Sequence, residues 1–152
     1  MYQRILVPID GSETGEQGLR EAIGLARGLN SRIRLFHVVN KTPWVYSPTT
    51  PEVIDELLTQ MRSTGESILH EATRAVRAAG VEVDHRLMEA PGERAGEFIV
   101  AEAMGWPAQL IVCGTHGRRG LRRVIMGSDA EYIVSHSTVP VLLVRGQAVA
   151  AS

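Results

Sequence analysis

The chain alternates short apolar segments with longer amphipathic segments along its 152 residues, and this alternation limits its fold more than any other feature. Five segments have the length and side-chain pattern of strands: Arg4 to Ile9, Ile33 to Val39, Val81 to Met88, Gln109 to Cys113 and Val139 to Arg145. Segments with a helical period separate them, and such crossovers produce parallel strands with helices on both faces. The sequence therefore predicts an α/β fold, a three-layer α/β/α sandwich around a five-stranded parallel sheet.

Local signals predict where the helices begin and end. Thr14 and Gln17 have the spacing of a capping box at the start of the first helix. A long amphipathic helix is expected from Glu52 to Ala79, and a third helix is expected from Pro91 to about Gly105.

Composition and charge restrict the partners and the location. Hydrophobic residues make up 44% of the chain and its formal net charge is −1, so we expect a globular protein that binds neither nucleic acid nor an anionic membrane. The start of the chain lacks the apolar run of a signal peptide, and the cytoplasm is the expected location. Cys113, the single cysteine, is expected to be a buried and inert thiol. One domain is expected over residues 1–146, with a flexible tail at 147–152.

A glycine-rich stretch stands where the fourth strand leads into the last helix. It consists of Gly114-Thr115-His116-Gly117 and, after nine intervening residues, Gly127-Ser128. Ser128 and Asp129 are expected to cap the helix that follows. Backbone N–H groups at a helix start lack intrahelical acceptors, and glycine has no Cβ to keep an anion away from them. The stretch therefore predicts a phosphate site, with glycines that serve only the geometry of the turn as the alternative.

Four arginines lie between the two glycine pairs and add positive charge to the same loop: Arg118, Arg119, Arg122 and Arg123. A cluster of guanidinium groups suits a polyanion such as a nucleoside triphosphate.

The full pattern, Gly-x-x-Gly-x9-Gly-Ser, resembles the nucleotide-binding signature of the universal stress protein family, in its ATP-binding branch. The resemblance continues through Tyr2 to Ser12, Leu110 to Gly120, Met126 to Glu131 and His136 to Arg145. It implies a Rossmann-like, adenine nucleotide alpha hydrolase-like fold with strand order 3-2-1-4-5. In that order the crevice beyond the carboxyl ends of strands one and four is the expected ligand site.

The motif and the resemblance together predict an ATP site. Its expected members are Pro8, Ile9, Asp10, Val39, Gly114, His116, Gly117, Arg118, Arg119, Gly127, Ser128 and Asp129. By the resemblance, the segment ending at Asp10 lines the pocket and Val39 faces the adenine. Two of the assignments have alternatives, because Asp10 could instead hydrogen-bond its own turn and His116 could face solvent.

The remaining histidines are scattered, and one cysteine cannot complete a zinc site, so no protein-built transition-metal site is expected. A magnesium or manganese ion carried by the nucleotide is expected instead, with Asp10 and Asp129 as its carboxylates. Asp129 departs from the family, where a small apolar residue is common at this position. Its carboxylate would repel a triphosphate unless a cation bridges the two, or it would fold back to cap its own helix.

The sequence lacks Gly-x4-Gly-Lys-Ser/Thr, a Gly-x-Gly-x-x-Gly after the first strand and a Gly-x-Ser-x-Gly elbow. We therefore expect an ATP-binding universal stress protein that acts as a cytoplasmic stress-response regulator or sensor, with at most slow ATP hydrolysis. A nucleotide-free dimeric interaction module and a slow ATP hydrolase or phosphotransferase are the alternatives. A homodimer through the edge strand Val139 to Arg145 is expected, because the strand is apolar and its edge is open.

Overall fold

The computed structural model describes residues 1–41, 48–91, 94–115 and 126–146. Strands and helices alternate along these residues. In chain order they are β1 (Arg4–Pro8), α1 (Glu13–Leu29), β2 (Arg32–Asn40), α2 (Pro51–Ala78), β3 (Glu82–Ala90), α3 (Ala95–Gly105), β4 (Leu110–Gly114), α4 (Ser128–His136) and β5 (Val141–Val144).

The five strands form one parallel sheet in the order β3-β2-β1-β4-β5. The predicted α/β sandwich and its strand order are therefore confirmed. In the register of the sheet, Ile5 of β1 lies between Ile33 of β2 and Leu110 of β4. The carboxyl ends of β1 and β4 consequently lie side by side, and this is where strand order reverses.

The two faces of the sheet are covered by different helices. Side chains alternate along a strand, so Ile5 and Val7 of β1 pack under α1 and α2, whereas Leu6 packs under α3 and α4. All three side chains are fully buried. This arrangement leaves the carboxyl edge of the sheet to the loops that follow β1 and β4.

The start of α1 differs from the predicted capping box. Ser12, and not Thr14, is the N-cap residue, and its Oγ accepts a hydrogen bond from the Gly15 N–H at 3.1 Å. The Ser12 N–H in turn donates to the Asp10 carboxylate at 2.9 Å. The cap lies two residues earlier because the turn after β1 holds Ser12 in the extended conformation that a cap requires.

Other boundaries shift by a few residues. Helix α2 begins at Pro51 after the N-cap Thr50, because proline lacks an N–H that the first turn would leave unpaired. Helix α3 begins at Ala95, later than predicted. Strand β5 begins two residues later than predicted, since the Ser137 hydroxyl bonds both the N–H and the carbonyl of Val139. None of the helices in the described ranges is long and apolar enough to cross a membrane.

Candidate functional site

The turn after β1 forms one wall of the crevice. The Ile9 N–H donates to the Phe36 carbonyl of β2 at 2.9 Å, so the chain leaves the sheet only after Ile9. Gly11 then adopts φ +81°, a left-handed conformation that glycine reaches without strain. The Asp10 carboxylate accepts from the Ser12 N–H, as the alternative role for Asp10 required. Its role toward a ligand stays a prediction.

The segment after β4 forms the other wall. The Thr115 N–H donates to the Val144 carbonyl of β5 at 3.1 Å, and the Thr115 carbonyl accepts from the Gly127 N–H at 2.6 Å. The two ends of the glycine-rich stretch are thus hydrogen-bonded to each other at the end of β4. The predicted site residues His116, Gly117, Arg118 and Arg119 lie outside the described residues.

Helix α4 begins directly beside this closure. Its N-cap is Gly127, and no side chain of the described residues caps it, so the predicted capping by Ser128 and Asp129 is wrong. The reason is that Ser128 is already the first helical residue. By helix geometry, the N–H groups of the first turn lack intrahelical acceptors. The helix therefore presents backbone donors at the carboxyl edge of the sheet.

Asp129 was expected to contact an ion or to cap its own helix, but it makes a different contact. Its Oδ1 accepts a hydrogen bond from the Gly96 N–H, in the first turn of α3, at 3.1 Å. The carboxylate therefore caps the neighbouring helix, whose own N-cap, Arg94, makes no side-chain capping bond. In the described part of the chain, no group of three or more His, Cys, Asp and Glu side chains could hold a metal ion. The predicted ion contacts of Asp10 and Asp129 remain predictions.

Gly114 has a packing role that is independent of any ligand. A Cβ at this position would lie 2.7 Å from the Thr14 carbonyl oxygen of α1. On the helix side, a Cβ at Gly18 would lie 3.3 Å from the Gly114 nitrogen. The two glycines let α1 approach the end of β4 closely, and this approach brings the start of α1 to the crevice.

His37 is a site-proximal residue that sequence reasoning missed. Its Nδ1 lies 2.8 Å from the Ile9 carbonyl oxygen and must donate, because a carbonyl only accepts. Its ring lies against Gly65 of α2, where a Cβ would come within 2.6 Å of the imidazole Cδ2. The ring therefore fixes the peptide that precedes Asp10. A histidine within the apolar segment Ile33 to Val39 was the available signal.

Three predicted site residues lie at the carboxyl ends of β1 and β2. Val39 is buried near the end of β2, Ile9 is buried at the end of β1, and Pro8 is half-buried. Cys113 is buried in β4, as expected, and burial raises the pKa of its thiol to about 12.

A separate groove of about 330 Å³ opens between α1 and α2. It shares Ile9 and Gly11 with the crevice wall, but the rest of its lining comes from α1 and α2. Because β4 and α4 contribute nothing to it, this groove is distinct from the crevice between β1 and β4.

Charged side chains fix the outer end of the sheet. Glu89 of β3 accepts hydrogen bonds from Arg62 of α2 and from Lys41, whose Nζ lies 2.7 Å from Glu89 Oε2. The hydrogen bond from Arg62, and then that from Lys41, lower the pKa of Glu89 from its ordinary value of 4.5 to about 2. The cluster ties α2 to the ends of β2 and β3.

Comparison with known proteins identifies the family. The family model described as "Universal stress protein family" matches residues 1–145. The chain belongs to the universal stress protein family. Universal stress protein MJ0531 of Methanocaldococcus jannaschii is 33% identical over 147 residues, which cover 95% of this chain and 83% of that protein. The glycine pattern therefore lies in a chain whose family membership rests on nearly its whole length.

Solved structures share the fold. Hypothetical protein MJ0577 superimposes with a TM-score of 0.84 at 25% identity, over 97% of this chain and 98% of that chain. A universal stress protein from Archaeoglobus fulgidus in complex with dAMP gives a TM-score of 0.66 at 25% identity, over 94% of this chain and 98% of that chain.

Proposed function

We propose that this universal stress protein binds an adenine nucleotide, ATP in the first instance, in the crevice between β1 and β4. One observation carries the proposal: the hydrogen bond between Gly127 and Thr115, which brings the start of α4 to the end of β4. An anion at that point would meet unpaired backbone donors and the positive end of the helix dipole. The dAMP complex of the Archaeoglobus fulgidus relative supports an adenine nucleotide as the ligand.

Each wall of the crevice would contribute differently. The backbone N–H groups at the start of α4 would bind phosphate, together with the arginines of the glycine-rich stretch. Asp10 would face the ribose or the ion, and Val39 would contact the adenine.

A magnesium or manganese ion would accompany the nucleotide, with most of its ligands supplied by phosphate oxygens. Asp10 is the first protein carboxylate we expect near it. Asp129 is less well placed for this role, because its Oδ1 already accepts from Gly96.

A regulatory or sensor role in the cytoplasmic stress response fits these features better than fast catalysis. The sequence lacks the Gly-x4-Gly-Lys-Ser/Thr phosphate loop and the Gly-x-Ser-x-Gly elbow that mark common hydrolases. Slow hydrolysis stays compatible with phosphates held on backbone amides beside an ion.

We also propose a homodimer through β5. It forms an edge of the sheet, and its side chains are partly or well exposed although all four are apolar. The opposite edge, β3, carries the charged residues Glu82, Asp84, Arg86 and Glu89, which discourage strand pairing. The contrast favours β5 as the edge that a second copy covers.

Mass spectrometry of the gently purified protein tests the proposal directly. We expect a co-purifying adenine nucleotide, and its mass gives the phosphate count. Calorimetry with ATP then compares the unmodified protein with Gly127→Val, whose branched side chain would block the approach of phosphate to α4. Unchanged binding by a folded Gly127→Val variant would contradict the phosphate site and favour the nucleotide-free module. Conversion of bound ATP to ADP would show that the protein is a slow ATP hydrolase.

A further inference from the structure

The N-termini of α3 and α4 meet at Asp129. Neither α3 nor α4 has a side-chain capping bond from its own N-cap residue. The Asp129 carboxylate, in the first turn of α4, accepts from the N–H of Gly96, in the first turn of α3, at 3.1 Å. One carboxylate thus lies at the N-termini of two helices, where negative charge is stabilised by both dipoles.

The two helix starts are also in direct backbone contact. A Cβ on Gly96 would lie 3.0 Å from Tyr132 Cβ and 3.2 Å from the Asp129 carbonyl oxygen. Glycine at position 96 therefore lets α3 approach the α4 backbone closely enough for the hydrogen bond to form. Ile99 and Ala103 of α3 share a buried cluster with Ile133 of α4, so the contact continues along both helices.

The start of α4 is held from both sides by these contacts. The Gly127 N–H donates to the carbonyl of Thr115, directly after β4, and the Asp129 carboxylate, two residues later, accepts from Gly96 of α3. Ser128 lies between the two anchors. The backbone donors of this turn are the groups that the proposed phosphate site uses, so their orientation depends on both anchors.

We propose that Asp129 is a positioning residue for nucleotide binding. Through its acceptor oxygen it fixes the first turn of α4 against α3 and so orients the backbone donors for phosphate. This inference rests on the proposed function and replaces the expected ion bridge with a contact within the protein.

Two substitutions distinguish the contribution of the Asp129 acceptor oxygen from that of its negative charge. Asp129→Asn keeps an acceptor for Gly96 and removes the charge, whereas Asp129→Ala removes both. Glu131→Ala is the matched control, because Glu131 is an exposed acidic residue in the first turn of the same helix. Gly96→Ala disturbs the contact from the other helix, and Gly105→Ala is its control, since a Cβ at Gly105 would meet no atom within 4 Å.

Affinities for AMP and ATP are measured by calorimetry, with magnesium and with EDTA, and exchange of the Gly96 amide is followed by NMR. We expect Asp129→Ala and Gly96→Ala each to lower the affinity for both nucleotides by about tenfold, which corresponds to the loss of one good hydrogen bond. Both substitutions should also speed the exchange of the Gly96 amide. Asp129→Asn should stay within about threefold of the unmodified protein. The magnesium dependence should be the same in all variants, and the double variant should bind no more weakly than either single one.

Three results would overturn the inference. Faster Gly96 exchange with unchanged affinity would leave Asp129 with a structural role only. Loss of the magnesium dependence of affinity in Asp129→Asn would show that the Asp129 carboxylate is an ion ligand. Additive losses in the double variant would show that Asp129 and Gly96 act separately. If the unmodified protein binds neither nucleotide, the proposed function fails and this inference fails with it, whereas the three results above leave the proposed function standing.

Discussion

Gly114 at the end of β4 lies so close to Thr14 of α1 that a Cβ at position 114 would come within 2.7 Å of the Thr14 carbonyl oxygen. The obstacle is backbone, which cannot rotate away as a flexible side chain could. We expect Gly114→Ala to lower the free energy of unfolding by about 1–3 kcal/mol, as overpacking does, in urea denaturation without nucleotide.

Gly24→Ala provides the matched control for this prediction. Gly24 lies in the same helix as Thr14, and a Cβ there would meet no atom within 4 Å. Alanine should leave the stability unchanged or raise it by about 0.4–1 kcal/mol, since it reduces the entropy of the unfolded chain. Equal effects of the two substitutions would contradict the packing role of Gly114.

The sheet could be predicted from the sequence because its signals are local. An apolar strand next to an amphipathic helix is visible within a window of about a dozen residues, and the crossover rule then fixes parallel strands. The order of the strands came from the family resemblance, because nothing within Val81 to Met88 or Val139 to Arg145 shows which strand lies beside it.

The contacts around the site could not be predicted in the same way. Asp129 and Gly96 are 33 positions apart, and His37 and Ile9 are 28 apart. The sequence predicted that Asp129 caps its own helix, but the packing of α3 against α4 places the Gly96 N–H where the carboxylate accepts from it. Such pairings depend on tertiary packing, which overrides local preference.

A buried carboxylate on α3 connects two strands. Glu102 accepts from Arg34 of β2 at 2.9 Å and from Arg86 of β3 at 2.6 Å, and its side chain is 4% exposed. Arg34 also bonds Asp84 and lies over the Trp106 ring. We expect Glu102→Ala to lower the free energy of unfolding by about 1–2 kcal/mol, because both guanidinium groups lose a partner, although Arg34 keeps Asp84 and Arg86 is half-exposed.

Urea denaturation at neutral pH measures this loss. Glu97→Ala, an exposed acidic position on the same helix, should change the stability by less than about 0.5 kcal/mol. A Glu102→Ala variant as stable as Glu97→Ala would show that the ion pairs only offset their own desolvation.

The ion pairs of Glu89 with Arg62 and Lys41 predict that the stability of the fold depends on pH in the acid range. Hydrogen bonds from Arg62 and Lys41 hold the pKa of Glu89 at about 2, below its ordinary value of 4.5. A carboxylate with a lowered folded-state pKa stabilises the fold above the unfolded pKa and loses that effect as the pH falls through the folded pKa. We expect the unmodified protein to lose more stability between pH 4.5 and pH 2 than Glu89→Gln does. Parallel pH profiles of the melting temperature for the two proteins would contradict this.

The last prediction concerns the open edge at β5. Leu142 at its centre is 36% exposed, although leucine is apolar and its neighbours on the strand are apolar too. If a second copy covers this edge, Leu142→Lys buries a charge in the interface, and light scattering should change from a dimer mass to a monomer mass at micromolar concentration. Met104→Lys replaces another exposed apolar side chain, on α3 and away from β5, and should leave the dimer intact. A monomer mass for the unmodified protein would rule out the dimer, and a dimer that survives Leu142→Lys would place the interface on another surface.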